Sequence, residues 1–193
     1  SSTTKTRVVF NASSKANGTS LNDLLLCGPK LQRDITHILH SFRFHEVVLI
    51  ADMKMMFRQI LIAEEDRKFQ HILYRPHTGS NILEYELTTL TYGLTSSPFL
   101  ALRCIQQLVA EDRPPFPLAS ACLTDDTYVD DVLGGGDSTQ EALKLQQELN
   151  SLLAQAGFTL RKWASNRPEL TAHLNADLLE KPVSFSGDSA TIK

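Results

Sequence analysis

The sequence predicts an α+β domain, and three observations predict it. Short apolar runs at residues 47–51 and around 128–133 have the length and β-branched content of strands. Two longer segments, 29–42 and 138–156, repeat their apolar residues at helical spacing. Strand-like and helix-like segments follow one another in mixed order, which argues against a doubly wound parallel sheet. The 193 residues, 42% apolar and 21% charged, suffice for one ordinary domain with a real core. They exclude global disorder and leave little room for a second catalytic domain.

In chain order, residues 6–11, with β-branched Val8 and Val9, read as a strand, and Asn17-Gly18 as a turn. After Pro29, the positions Leu31, Ile35, Ile38, Leu39 and Phe42 give an amphipathic helix one buried face. Residues 47–51 are too few for a helix and apolar throughout, so they form a buried strand that delivers Asp52 at its exposed end. Segments 69–74 and 82–87 flank His77-Thr78-Gly79-Ser80, the composition of a β-hairpin with an exposed tip. Ser96-Ser97-Pro98 reads as a hydroxyl-capped helix start, and Pro114, Pro115 and Pro117 break that helix beyond Glu111. Ser138 with Glu141 is a capping box for a helix whose apolar face runs from Ala142 to Ala156 and stops at Gly157. Residues 158–163 follow as a strand. Residues 1–176 are assigned to one domain, and 177–193, where periodicity fades, to a loose C-terminal tail.

The longest apolar run, 47–51, is far short of the roughly 20 residues of a membrane-spanning helix, so no membrane partner is expected. No leader segment is visible, and a chain that begins with Ser rather than Met reads as a fragment or a processed piece. Cys27, Cys104 and Cys122 are odd in number, with no Cys-x-x-Cys pair; reduced, mostly buried thiols are expected. Net charge is −3, unevenly spread: residues 1–45 carry +4 and residues 111–150 carry −7. That asymmetry fits a polyanion held at one end and a cation site at the other, and it equally fits a solvated surface.

Tyr128-Val129-Asp130-Asp131-Val132-Leu133 interrupts a buried pattern with two adjacent acids. In a hairpin with apolar flanks these acids sit at the turn, where repulsion between them is relieved by a hard, oxygen-seeking cation such as Mg²⁺. Should the strand that ends at Asp52 lie beside that hairpin, three carboxylates meet. That is the requirement for a two-metal phosphoryl-transfer centre. Any one of these acids alone reads equally well as a turn or strand-end residue.

The same residues resemble a known family. Tyr128-Val129-Asp130-Asp131 resembles the signature of reverse transcriptases, and Asp52 with Phe57 five residues later is similar to their first acidic motif. Thr91-Tyr92-Gly93-Leu94-Thr95-Ser96-Ser97-Pro98 is similar to the motif with the template-side glycine. The segments from Arg7 to Lys15, Ser20-Leu21-Asn22-Asp23, Gly28-Pro29-Lys30-Leu31, Phe57-Arg58-Gln59-Ile60 and Leu160 to Asn166 resemble, more narrowly, the Pao/BEL class of LTR retrotransposons. The resemblance covers about residues 5–170, with the motifs in order.

It implies the fingers and palm of a reverse transcriptase: an antiparallel palm sheet with packed helices and a ferredoxin-like core. It implies RNA-directed DNA polymerisation on an RNA or DNA template with a primer, dNTP as substrate, and two Mg²⁺ ions for which Mn²⁺ substitutes. Asp52, Asp130 and Asp131 would be the metal ligands, Asp131 the more peripheral. Lys162 would protonate the pyrophosphate leaving group. Arg7 would clamp the triphosphate, Phe57 would pack on the sugar and exclude a 2′-hydroxyl, Gly93 would admit the template or incoming base, and Tyr128 would line the site. For Phe57 core packing, for Gly93 an ordinary loop and for Arg7 a solvated strand position remain open. The family also implies a larger polyprotein and a cytoplasmic particle. Asn11 stands where an acid is usual, Phe57 for Tyr and Thr127 for Phe; Gly134-Gly135-Gly136 reads as a more flexible strand end than the family's. Those glycines are not a phosphate loop, since no Lys-Ser/Thr follows. No thumb or RNase H carboxylate set is evident. A degenerate or domesticated fragment that binds nucleic acid without turnover is therefore the first alternative, and a ferredoxin-like interaction domain with scattered acids the second.

Overall fold

The computed structural model describes residues 8–112, 115–181, 183–184 and 191–192. In chain order the elements are α1 (Leu21–Leu24), α2 (Ile35–Phe44), β1 (Val47–Met53), β2 (His71–Tyr74), β3 (Leu83–Glu86), α3 (Ser97–Asp112) and α4 (Pro117–Asp125). They continue with β4 (Thr127–Tyr128), β5 (Asp131–Gly136), α5 (Thr139–Gln155), β6 (Leu160–Ser165), β7 (Val183–Ser184) and β8 (Thr191–Ile192). The architecture is mixed helix and sheet, with antiparallel strands and packed helices, as the sequence predicts. The chain divides into two compact units, one of residues 1–30 and 57–101, the other of residues 31–56 and 102–193.

The second unit is built on a four-stranded sheet in the order β4-β5-β1-β6, every pair antiparallel. Along β1, Val47, Leu49, Ala51 and Met53 are buried, while Val48, Ile50 and Asp52 turn to the other face. Helices α4 and α5 pack against each other and against β5. They bring Leu145, Leu149, Leu152, Leu153 and Cys122 into one core with Val132 and Trp163. Ser138 caps α5 by accepting from the Glu141 amide, and Glu141 accepts in return from the Asp137 amide, one residue earlier than the expected box.

The glycine run belongs to this packing. A Cβ on Gly134 would come within 2.9 Å of Leu145 Cδ2 and 3.0 Å of Cys122 Sγ, and one on Gly135 within 2.5 Å of the Val47 carbonyl oxygen. Instead of a flexible strand end, Gly134-Gly135-Gly136 is the stretch of β5 where helices and backbone approach too closely for any side chain.

In the first unit, β2 and β3 form the predicted hairpin. Asn22 ties the N-terminal segment to the 92–95 loop, its amide donating to the Gly93 carbonyl and its oxygen accepting from the Thr95 amide. Other expectations fail for identifiable reasons. Residues 8–10 are not in a strand; Val8 and Val9 are exposed, and Val8 offers its carbonyl to the Tyr92 hydroxyl, with Phe10 tilted against the Tyr92 ring. Helix α3 does start at Ser97 with Pro98 in its first turn, as expected, and the Ser97 hydroxyl donates to the Thr91 carbonyl at 2.5 Å. The helix expected from Pro29 begins at Ile35, because Asp34 accepts from the Thr36 amide and fixes the start. Pro117, read as a breaker, opens α4 at a position where its missing N–H is harmless. Cys27 is exposed, Cys104 half-buried and Cys122 buried, where burial pushes its thiol up. Of the segment expected to be a loose tail, Leu179 bridges Trp163 in parallel, and the Glu180 amide donates to the Trp163 carbonyl.

Candidate active site

The second unit gathers five of the predicted site residues. Asp52 on β1 pairs directly with Asp131 on β5, and Tyr128 on β4 pairs with the same Asp131. Asp130 lies in the β4–β5 turn, and its carbonyl accepts from the Met53 amide at 2.7 Å, next to Asp52. Lys162 on β6 donates to Asp52 Oδ2 at 3.1 Å. An open groove of about 330 Å³ runs over this face, with Ile50 and Leu133 as an apolar floor beside Asp52, Asp131, Tyr128 and Lys162.

The turn that presents Asp130 is strained and braced. Val129, a β-branched residue, adopts φ +56°, a conformation its side chain disfavours. The Gln32 side-chain amide holds both flanks, donating to the Thr127 carbonyl at 3.1 Å and accepting from the Val129 amide at 2.8 Å. Gln32 was invisible in the sequence, because its partners lie 95 and 97 residues away.

Arg161 is the second residue that sequence reading missed. Its Nε donates to Asp52 Oδ1 at 2.7 Å, so both oxygens of Asp52 are held by cations. Strand alternation would send Arg161 and Lys162 to opposite faces. The β1–β6 register shifts between Ile50 and Asp52, and Lys162 takes φ +55° there, so the two cations reach one carboxylate. Burial holds the Asp130 carboxyl above its ordinary range, and the charge of Asp52 pushes the same way. Asp131 is raised by burial first and then by Asp130 and Asp52.

These carboxylate oxygens are donors of the kind a hard divalent ion takes. The present grouping is not yet a ligand set: among the described residues no three His, Cys, Asp or Glu side chains stand close enough together to hold a metal ion.

The remaining predicted residues lie elsewhere. Phe57 is half-buried in the 3₁₀ turn Met56–Gln59, and Gly93, at φ +95°, belongs with it to the other unit. A Cβ on Gly93 would meet the Phe10 carbonyl oxygen at 2.5 Å, so the close approach there is by this chain's own backbone. Arg7 lies outside the described residues.

Comparison with known proteins bears on the fold and the family. A solved structure of prototype foamy virus protease–reverse transcriptase, a CSH mutant, superposes with a TM-score of 0.59 at 19% identity. The match covers 90% of this chain and 20% of that one, so the chain spans about a fifth of that protein's length. No curated protein matches. The family described as reverse transcriptase (RNA-dependent DNA polymerase) matches residues 5–163, most of the sequence and all of the acidic motifs. The chain belongs to the reverse transcriptase family.

Proposed function

We propose that the chain is the fingers and palm region of an RNA-directed DNA polymerase of a Pao/BEL-like retrotransposon, working within a larger polyprotein. The observation that carries this reading is the register of β1 and β5, which sets Asp52 opposite Asp131 with Asp130 in the adjoining turn. The reaction is attack of a primer 3′-hydroxyl on the α-phosphorus of a dNTP paired to an RNA or DNA template; a phosphodiester bond forms and pyrophosphate leaves. Asp52, Asp130 and Asp131 would hold two Mg²⁺ ions, or Mn²⁺, which supply activation of the hydroxyl and neutralisation of phosphate charge. The chain's own residues then position and select. The Gln32-braced turn holds Asp130, Tyr128 lines the groove, Phe57 limits the sugar by size, Gly93 keeps its loop close-packed, and Arg7 meets the triphosphate. Lys162 would give a proton to the departing pyrophosphate.

In the longer polyprotein, Asp130→Asn should abolish essentially all Mg²⁺-dependent primer extension while far-UV circular dichroism stays unchanged. Extension near the wild-type rate would refute the reading. One observation favours a second reading, a domain that binds nucleic acid without turnover: both Asp52 oxygens are engaged by Arg161 and Lys162. Salt-sensitive binding of a primed homopolymer template, with no Mg²⁺-dependent extension by the wild type, would select it.

A further inference from the structure

The cations around the acids are unevenly distributed. Asp52 alone has two, whereas Asp130 and Asp131 have no ion pair of their own among the described residues. The two are also held differently. Arg161 sits in ladder register opposite Asp52, its side chain 26% exposed; Lys162 is 47% exposed and more distant. An ammonium on a flexible stem is a point charge that leaves a carboxylate more readily than a planar guanidinium fixed in a strand. Lys162 reaches Asp52 only because two residues, Lys162 and Trp163, oppose Ala51; Trp163 keeps its place in the core, and Lys162 is the extra residue. A left-handed conformation at a residue with a Cβ persists only where its surroundings impose it.

Charge then decides what this arrangement does. Three ionised carboxylates facing two cations leave one net negative charge, a weak attraction for a divalent ion. Withdrawing Lys162 leaves two.

We propose that Lys162 is a displaceable counter-ion: without a divalent ion its ammonium occupies Asp52 Oδ2, and an arriving divalent ion takes that oxygen by displacing it, while Arg161 keeps Oδ1 in place. The proposal rests on the reading of Asp52, Asp130 and Asp131 as metal carboxylates.

The test is Mn²⁺ binding to the full 193-residue chain without nucleic acid, followed by loss of the free-ion electron paramagnetic resonance signal. Lys162→Gly removes the ammonium and suits the positive φ, so the bulge survives; Lys162→Asn, which tolerates the same conformation, is the second variant. Both should bind Mn²⁺ roughly two- to fivefold more tightly than wild type, the scale of a partly exposed ion pair. Lys162→Arg, which keeps a cation that leaves less readily, should bind Mn²⁺ no more tightly than wild type, and Asp52→Asn should abolish the binding in each background. Mn²⁺ binding that requires Asp52 yet is unchanged or weaker in Lys162→Gly and Lys162→Asn overturns the proposal and leaves the carboxylate reading intact. Absence of any Asp52-dependent binding, in wild type and both variants alike, overturns the two together.

Discussion

At the scale of single residues, chemistry near the acids is set by what surrounds each group. The adjacent acids were legible because two charges in an apolar run need a reason, and Asp52 was legible because it ends a buried strand. Arg161 was not legible as a partner of Asp52, since alternation along β6 points it away from Lys162 until the register shift is known. The glycines of β5 were misread for a similar reason: sequence shows a missing side chain, and only packing shows what would occupy its space. Gly135→Ala should therefore destabilise the fold by about 1–3 kcal/mol through overpacking against the Val47 carbonyl and His45. Urea denaturation should show a lower midpoint with an unchanged slope. A midpoint equal to wild type would mean that β5 moves freely at that point.

At the scale of elements, most strands and long helices could be read from periodicity to within a few residues, although α2 begins at Ile35 rather than near Pro29. The losses were short pieces governed by one side chain, such as α1, closed by a Ser20–Asp23 capping box, and α4, opened by Pro117. The β4–β5 turn depends on a side chain from a distant segment. Gln32→Ala should cost about 1–3 kcal/mol, because the Val129 amide and the Thr127 carbonyl lose a partner they cannot easily replace. Chemical denaturation measures the loss, and the Val129 amide should exchange with deuterium faster. The β2–β3 hairpin carries a pH response. His71 contacts Glu84 at 2.5 Å and Glu86 at 3.1 Å, and both raise it above its ordinary value, Glu84 more. The folded hairpin thus favours the protonated ring. Its stabilisation is full below the unfolded value of about 6.5 and is lost as pH rises through the higher folded value. An NMR titration of the His71 ring should give a midpoint above 6.5, lowered toward it by Glu84→Gln; an unshifted midpoint in the wild type contradicts the contact.

At the scale of the whole molecule, the fold class was readable because strands and helices alternate irregularly, and the family because its motifs are spread along the chain in order. The strand expected at 6–11 is absent over its described residues 8–11, since β-branched residues specify a strand only where a neighbouring strand accepts their backbone. Overall charge, near neutral as a sum, is divided between a basic start and an acidic later segment. Binding to a primed template should thus weaken steeply with salt, with a slope of log K against log salt of about −4 if the net +4 of residues 1–45 meets four phosphates. Filter binding over a range of KCl concentrations reads that slope. A slope near zero would remove the electrostatic basis for nucleic-acid binding.

The irregularity in β6 also bears on how the gene can change. Loss of the single codon for Lys162 would restore an unbroken ladder, keeping Arg161 opposite Asp52 and setting Trp163 alone opposite Ala51. Loss of a codon for Ala164 would instead shift the side chains beyond it between interior and solvent. One in-frame deletion in this strand should thus leave the ladder continuous, and it falls on the lysine.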